Sequence, residues 1–426
     1  MLVSSARVTA VVLALLYGAE PVQAMSFGIF DARSIAMGGT GVSSGTGGNA
    51  VYFNPALLSA ANRKEDRFAF EIMISARVAD PNKLADDVDR LDSSGKSLSS
   101  ALDQFNQVPN QANAGQLANA IGTIQGALQT VNNKTLEGNV FASPLTVGVP
   151  GRDLGWAIYA GARADLSAQL FFASGDNALL NNYRNAAQQY ANTGTFADLA
   201  ALIAQGDTNG DGKLDDPNYQ SHIDVRGAVL GEVGISLAHE FQMASDNLAV
   251  GITPKYVTVH TFDYTISPQH ADIDVDKGRK DYTSSNLDIG FAKDLGSGFK
   301  TGIVGKNVIA RTYTTTLGNS IEVRPQWRVG LSHHTPRTTV AIDVDLNENR
   351  PVAFDKPTRY AGIGAEINAW DFLQLRAGYR TDLAGNYNAI PSVGLGLSML
   401  GVHLDAAIAG RNKEEVIAAV QLGFRF

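Results

Sequence analysis

The residues best suited to bind an ion lie in segment 207–215, which has the spacing of a calcium-binding loop. The candidate ligands are Asp207, Asn209, Asp211, the carbonyl group of Lys213, and Asp215, with Gly212 at the sharp turn. Calcium prefers several oxygen ligands, and the EF-hand arrangement draws them from alternate residues. Position 12 of such a loop is normally acidic, but here it is Asn218, which should weaken binding. The sequence predicts a structural Ca²⁺ site, with an acidic flexible loop as the alternative.

A second set of charged residues has both signs and lies on strand-like segments. The set is Arg324, Arg328, Asp343, Asp345, Arg376, Arg380 and Asp405. Acids and bases in one place could be mistaken for an acid–base site. Charges that share a buried face usually pair with each other, however, because an unpaired buried charge is costly. We expect ion pairs here, with a path for a substrate as the alternative, and we predict that the chain is not an enzyme.

A glycine-rich segment, 31–58, near the N-terminus contains the run Gly38-Gly39-Thr40-Gly41. A dinucleotide fingerprint would need glycine at Ser44 and a strand before the run, and the sequence has neither. Many glycines permit tight backbone turns, and Pro55 breaks regular structure. The segment is therefore predicted to fold compactly inside another structure.

The remaining composition indicates export. The chain has 426 residues, a formal charge of −8 and no cysteine. A net acidic chain without a Lys/Arg block argues against a nucleic-acid partner. Arg7, the apolar stretch 8–17 and the small-residue site Val22-Gln23-Ala24 predict a signal peptide over residues 1–24, with an uncleaved anchor as the minor alternative.

From residue 67 onward, most of the chain alternates apolar and polar residues with period two. We count about fourteen strands, with longer connections after odd-numbered strands and tight turns after even-numbered ones. This pattern predicts an all-β fold, namely a transmembrane antiparallel β-barrel. Such a barrel lies in the outer membrane of a Gram-negative bacterium, so we expect outer-membrane lipid to be one of its partners. Leu422, Phe424 and the terminal Phe426 lie on one apolar face and resemble the signal read by the barrel-assembly machinery.

Two segments interrupt the strands with helix-like spacing of apolar residues. Residues 80–135 are predicted to form a helical hairpin broken near Val108-Pro109-Asn110, and residues 173–221 are predicted to be partly helical. Both fall among the longer connections, so we expect them outside the cell. They could be docking surfaces, or solvated insertions that only pack on themselves.

The glycine-rich segment resembles the N-terminal signature of the FadL-like outer-membrane superfamily, closest to its plasmid conjugal-transfer TraF-type branch. The matching residues are Met37, Gly38 and Gly39, which follow Ala36, and then Asn54, Pro55 and Ala56. In FadL-type proteins the corresponding segment is a hatch inside a fourteen-stranded barrel that carries hydrophobic molecules inward. The resemblance implies a plug at residues 25–66 and a barrel at residues 67–426.

Two functions remain open at this point. The first is passage of a small, hydrophobic molecule through a plugged channel. The alternative is a structural part of a conjugation or secretion apparatus, with the insertions facing an envelope-complex partner. An enzyme such as a barrel lipase ranks third. Apart from calcium, no cofactor is expected.

Overall fold

The main structure of the chain is a closed antiparallel barrel of fourteen strands, as predicted. The computed structural model describes residues 27–28, 30–60, 68–243, 246–266, 278–370, 372–412 and 414–425. The predicted signal peptide and the terminal Phe426 lie outside these residues.

Sixteen strands are present in the described chain. They are β1 Ala69–Ala79, β2 Thr135–Val149, β3 Gly155–Phe171, β4 His222–Met243, β5 Asp246–Ile266, β6 Arg279–Gly296, β7 Phe299–Lys306, β8 Arg311–Thr314, β9 Ser320–Val323, β10 Gln326–His334, β11 Thr338–Asp345, β12 Tyr360–Trp370, β13 Leu373–Asp382, β14 Ile390–Met399, β15 Val402–Arg411 and β16 Glu415–Arg425. Barrel strands pair in chain order, except that β7 pairs with β10 and β16 closes onto β1. Strands β8 and β9 form a separate hairpin.

The two faces of the barrel wall differ in polarity. On β15, Leu404 and Ile408 are exposed on the outer face, whereas His403 and Asp405 are buried on the inner face. Strand β16 repeats the pattern, with Val420 outside. An apolar outer surface over a polar interior is typical of a barrel that spans a lipid bilayer.

Exposed aromatic residues lie near the short turns at one end of the barrel. They are Phe241, Phe299, Trp370 and Phe372. Aromatic rings favour the boundary between lipid and water, so this belt marks one membrane interface. Among the residues described, no helix has the length and apolarity needed to cross a membrane.

The glycine-rich segment lies inside the barrel. It contains helix α1 (Ala32–Ala36), a 3₁₀ turn (Gly47–Asn49) and the short helices α2 (Ala50–Phe53) and α3 (Leu57–Ala60). Almost every residue of this segment is buried. We call residues 27–60 the plug.

The two insertions form four helices at the end of the barrel that carries the long connections. These are α4 (Leu84–Gln107), α5 (Gln111–Val131), α6 (Ser174–Thr193) and α7 (Phe196–Gly206). Their apolar faces share one core that includes the fully buried Leu117, Ile121, Leu180 and Leu202. The sequence predicted helices in each insertion, but it did not predict that the two insertions would pack into one unit.

Arg324 does not lie on a barrel strand, contrary to the expectation from the alternating pattern. After β7 the chain leaves the wall and forms the β8–β9 hairpin, and Arg324 follows this hairpin. Its Nε lies 2.9 Å from Glu322 Oε2, and its side chain is 37% exposed. A short hairpin has the same period of two as a barrel strand, which explains the error.

Candidate functional site

The Ala-Met-Gly-Gly part of the plug rests on three glycines of the wall. A Cβ added at Gly362 would lie 2.1 Å from the Gly38 carbonyl oxygen, one at Gly364 would lie 2.2 Å from the Met37 carbonyl oxygen, and one at Gly378 would lie 2.2 Å from the Gly38 amide. Any side chain there would push the plug backbone away, so only glycine permits this approach. Gly38 itself has a φ of +71°, which favours glycine.

The Asn-Pro-Ala part of the plug has an equivalent seat on the opposite strands. Added Cβ atoms at Gly251, Gly290 and Gly302 would lie 2.3 Å from Ala56 N, 2.0 Å from Asn54 Oδ1 and 2.5 Å from the Val42 carbonyl oxygen. The Asn54 Nδ2 group donates to the carbonyl oxygens of Val42 and Phe291, both at 3.0 Å. Its Oδ1 accepts from Ala56 N at 3.1 Å. The motif thus links two parts of the plug to the wall.

Charged groups of the wall also hold the plug backbone. Asp343 Oδ2 accepts from the amides of Gly41 and Val42, at 2.7 and 2.9 Å. Arg328 donates from Nη1 to the Gly39 carbonyl oxygen at 3.2 Å, and its Nε lies 2.6 Å from Asp345 Oδ1. Three of the charged residues singled out from the sequence therefore meet at one place.

A buried chain of ion pairs joins the plug to strands β12, β13 and β15. Arg33 Nε of α1 lies 2.8 Å from Glu366 Oε2. Arg376 Nε lies 2.7 Å from the same Glu366 oxygen, and Arg376 Nη1 lies 2.5 Å from Asp405 Oδ1. Arg380 pairs separately with Glu415 at 3.0 Å. Opposite charges in alternation satisfy one another inside the barrel, which is the arrangement that low-polarity surroundings demand.

Sequence reasoning missed Arg33, Glu366 and the six wall glycines. One signal was present: Gly362 and Gly364 are two residues apart, so they occupy the same face of one strand. Glycines at that spacing in a strand mark a close approach of another backbone.

Aromatic side chains from plug and wall form a cluster beside strands β2 and β3. Phe30 stacks on Tyr52 with ring centroids 5.6 Å apart, and both contact Phe141 at 5.2 Å. Tyr52 also contacts Tyr159, at 4.9 Å. The Lys306 ammonium lies 4.3 Å from the Phe30 ring centroid and donates to the Tyr52 carbonyl oxygen at 2.9 Å. A cavity of about 40 Å³ lies between these rings and the polar side chains of Arg163, Glu232, Lys306 and Gln326.

The wall next to the aromatic cluster is irregular. The pairing of β2 with β3 shifts register between Ala142 and Leu145. Ser143 Oγ donates to the Ala160 carbonyl oxygen at 3.0 Å, and Tyr52 OH donates to Ser143 Oγ at 2.7 Å. The plug therefore completes the hydrogen bonding of a bulge in the wall.

A polar chamber of about 70 Å³ lies above the plug. Its floor includes Gly38 and Gly39, and its roof includes residues 351–358 of the connection between β11 and β12 together with Tyr387 of the next long connection. Phe354 N donates to Ser167 Oγ at 3.0 Å, and Lys356 N donates to Tyr387 OH at 3.1 Å. The long connections thus close the lumen at this end. We call residues 347–358 the roof loop.

Burial and then the nearby Glu137 carboxylate raise the pKa of Asp355, in the roof loop, to about 7. Burial, followed by the same Glu137, also raises the pKa of Tyr387, whose hydroxyl donates to Glu137 Oε1. Both residues lie on connections rather than on the barrel strands.

The predicted calcium loop lies on the helical unit, directly after α7. Asp207 Oδ1 accepts from Gly210 N at 2.6 Å, and Asp211 Oδ1 accepts from Lys213 N at 2.9 Å. Asp215 accepts from Thr208 and Asn209, and the Thr208 hydroxyl lowers the pKa of Asp215. Within the described chain, no group of three or more His, Asp or Glu side chains is arranged to hold a metal ion. Calcium binding stays a prediction.

The predicted assembly residues lie on the closing strand. Leu422 of β16 faces outward and is 37% exposed, and the Phe424 ring lies 6.0 Å from that of Phe70 on β1.

Comparison with known proteins gives one family and one fold. The family model described as "F plasmid transfer operon, TraF, protein" matches residues 51–345, more than half of the chain. The deltaS2S3 mutant of TodX, a monoaromatic hydrocarbon channel, is 14% identical, with a TM-score of 0.51 and coverage of 93% of this chain and 99% of that one. TbuX, the toluene transporter of Ralstonia pickettii, is 14% identical, with a TM-score of 0.51 and coverage of 94% and 99%. No curated protein sequence matches the chain.

Identity this low shows a shared fold and nothing finer. The fold is that of the FadL-like barrels, as the N-terminal motif implied. Both neighbours are described as a channel or a transporter.

Proposed function

The chain belongs to the TraF family of the F plasmid transfer operon, and from this premise and the barrel fold we propose that it is an outer-membrane channel that passes a small apolar molecule through its plugged lumen. The observation that carries the proposal is the aromatic cluster of Phe30, Tyr52, Phe141 and Tyr159. The wall facing the lumen is otherwise rich in charged and hydroxyl groups, which apolar molecules avoid. The cluster supplies an internal apolar surface at the plug.

The cavity beside the cluster is too small for such a molecule as it stands. A volume of about 40 Å³ suits a few water molecules. Passage therefore requires that Phe30 and Tyr52, which belong to the plug, move relative to Phe141 and Tyr159, which belong to the wall. The plug would act as a gate whose opening separates these rings.

The test measures entry of an apolar fluorescent probe, N-phenyl-1-naphthylamine, into cells that carry the protein in an otherwise intact outer membrane. Changing Asn54→Ala together with Pro55→Ala removes the plug contacts to Val42 and Phe291 and should increase entry. Gly161→Leu should decrease it, because Gly161 lines the aromatic cavity and an added Cβ would lie 3.2 Å from Tyr52 OH.

Gly138→Leu is the matched control on the adjacent strand, since an added Cβ there meets only the Leu166 carbonyl oxygen, at 3.9 Å. Gel mobility without heating checks that each barrel is folded. Equal entry with all folded variants and with cells lacking the protein would show that it is not a channel for apolar molecules.

A second function is a structural role in a conjugation apparatus. The family description and the four-helix unit favour it, because α4–α7 form a unit with its own core on one end of the barrel. Replacing residues 84–131 and 174–206 with short linkers should then abolish conjugative transfer while probe entry is retained. Loss of probe entry with normal transfer would favour the channel instead.

A further inference from the structure

We propose that the chamber between plug and roof loop is a binding site for a small organic ammonium ion, which enters from the side of the long connections. This inference goes beyond the passage of apolar molecules and does not depend on it. It rests on the ion-pair pattern of the chamber, on unpartnered carboxylate oxygens, and on the way in which the roof loop closes.

Every arginine that lines the chamber already has a carboxylate partner. Arg77 pairs with Glu137 and Glu415, Arg163 with Asp165, Arg328 with Asp345, and Arg380 with Glu415. Of these four, only Arg380 has a buried nitrogen, Nε, without a hydrogen-bond partner in the described chain, so the arginines have little capacity left to bind an anion. An anion would have to displace a buried carboxylate from its partner, which is costly.

Two carboxylates of the chamber have no cationic partner. Within the described residues, neither Asp343 nor Asp355 has a lysine, arginine or histidine nitrogen within 4.0 Å. Asp343 is only 2% exposed, and its Oδ1 has no hydrogen-bond partner among the residues described, while Oδ2 binds the plug amides. Asp355 Oδ1 is likewise shielded from water and has no hydrogen-bond partner in the part of the chain that the structure describes. Such groups need either a proton or a positively charged guest.

The remaining nearby cation does not fill this role. Lys356 follows Asp355 in the chain and lines the chamber, but its side chain is exposed, and it forms no ion pair among the residues described. The chamber volume of about 70 Å³ suits a guest of a few non-hydrogen atoms. The Phe141 ring lies in the same wall and offers an aromatic surface to an ammonium group.

The contacts of the roof loop allow the chamber to open. Asn349 and Thr358 pair through both backbone groups, at 2.7 and 3.0 Å, and so form the neck of the loop. Between these two residues, the centroid of the Phe354 ring lies 4.8 Å from the guanidinium carbon of Arg226. The loop backbone also donates two hydrogen bonds, from Phe354 N to Ser167 Oγ and from Lys356 N to Tyr387 OH. The loop also packs Val352 against the cluster that contains Tyr313 and Ile321, and the Pro357 carbonyl oxygen accepts from Asn386 Nδ2 at 2.8 Å. All of these contacts lie outside the barrel ladder, so they can break without disturbing it. Opening moves Asp355 into water, and closing returns it beside Glu137 and Asp165.

The empty and occupied chambers differ by one proton. Because burial and Glu137 raise the pKa of Asp355 to about 7, the carboxyl group of the empty chamber holds a proton for much of the time at neutral pH. Arg77 and Ser167 oppose this shift, and Asp165 adds to it. When an ammonium ion binds, the carboxylate becomes the favoured form and the proton leaves to the buffer.

Isothermal titration of the full-length barrel in a non-ionic detergent tests the site with ethylammonium, with ethanol as the neutral probe and with acetate as the anionic one. We expect saturable binding of ethylammonium and none of ethanol or acetate. Binding heats in buffers of different ionisation enthalpy should reveal proton release at pH 7. Asp355→Asn should weaken binding by about tenfold or more, since a charge-assisted contact is lost, and should abolish proton release.

Glu348→Gln is the matched control, because Glu348 is an exposed carboxylate on the same loop, and it should leave affinity unchanged. If Asp355→Asn does not fold, the pH dependence of binding to the wild-type protein tests the site instead. The affinity for ethylammonium should rise between pH 5.5 and pH 8, because the competing proton is lost. Equal binding of ethylammonium and ethanol, equal effects of the two substitutions, or affinity independent of pH would show that the chamber holds water only.

Discussion

Arg33 of the plug and Glu366 of the barrel wall form a buried salt bridge, with Nε and Oε2 2.8 Å apart. Glu366 serves two arginines, since Arg376 lies on its other side. The plug is thus tied to the wall by a residue that also organises the wall itself. This arrangement predicts unequal effects of removing the two partners.

Glu366→Ala should destabilise the protein more than Arg33→Ala. The first change leaves two buried arginines with one carboxylate fewer, at a cost of about 3 kcal/mol or more. The second leaves Glu366 paired with Arg376 and removes only one of the contacts that hold the plug. A cysteine at Ser43, in a chain that otherwise has none, should react faster with a small maleimide in Arg33→Ala, while the unfolding temperature on gels falls little. Equal labelling of Arg33→Ala and wild type would mean that this pair does not hold the plug.

Gly362→Ala should misplace the plug even though it adds one methyl group. The new Cβ would lie 2.1 Å from the Gly38 carbonyl oxygen, and backbone cannot yield as a flexible side chain can. We expect a lower folded yield and faster maleimide labelling of a cysteine placed at Ser43. Gly138→Ala, which meets nothing closer than 3.9 Å, is the control and should behave as wild type. A Gly362→Ala protein as stable as the control would contradict the proposed seat.

Calcium should raise the unfolding temperature of the helical unit if segment 207–215 binds it, because a ligand that binds only the folded state stabilises that state. The carboxylates of Asp207 and Asp211 accept hydrogen bonds from their own loop, which holds the backbone in a turn. Replacing both with Ala should abolish the shift, and Asp216→Ala serves as the control. If the unfolding temperature of the wild-type protein does not change at millimolar Ca²⁺, segment 207–215 does not bind calcium.

The closed roof loop should become less stable as pH rises. The pKa of Asp355 is raised to about 7 in the closed state, so the closed state binds the proton more tightly than the open state does. The stabilisation of the closed state by this proton is complete below the ordinary aspartate pKa and is lost as pH rises to about 7. A nitroxide label at Ala353 should gain mobility between pH 5 and pH 8. Asp355→Asn should remove this pH dependence, whereas Glu348→Gln should keep it.

The barrel was predictable from the sequence because lipid outside and charge inside impose a period of two on every strand. The alternation of Leu404 and Asp405 on β15 is one example. Even so, the same period placed Arg324 on a barrel strand, because a local hairpin has it too. The pattern identifies strands but not the sheet to which each belongs.

The plug contacts could not be predicted in the same way. Arg33 meets Glu366, and Gly38 meets Gly362, only because distant parts of the chain share one level of the barrel. Residue types alone do not specify that level. The helical insertions show the same limit, since a helical period tells which face is apolar but not which helix will cover it.

The glycine seats also constrain the order of events during assembly. The plug precedes β1, while its seats at Gly362 and Gly378 lie on strands made late in synthesis. The barrel closes where β1 pairs with β16, the last strand. The plug therefore leaves the ribosome long before the surfaces that receive it exist. In the periplasm it must stay accessible and unaggregated until these strands are in place to receive it.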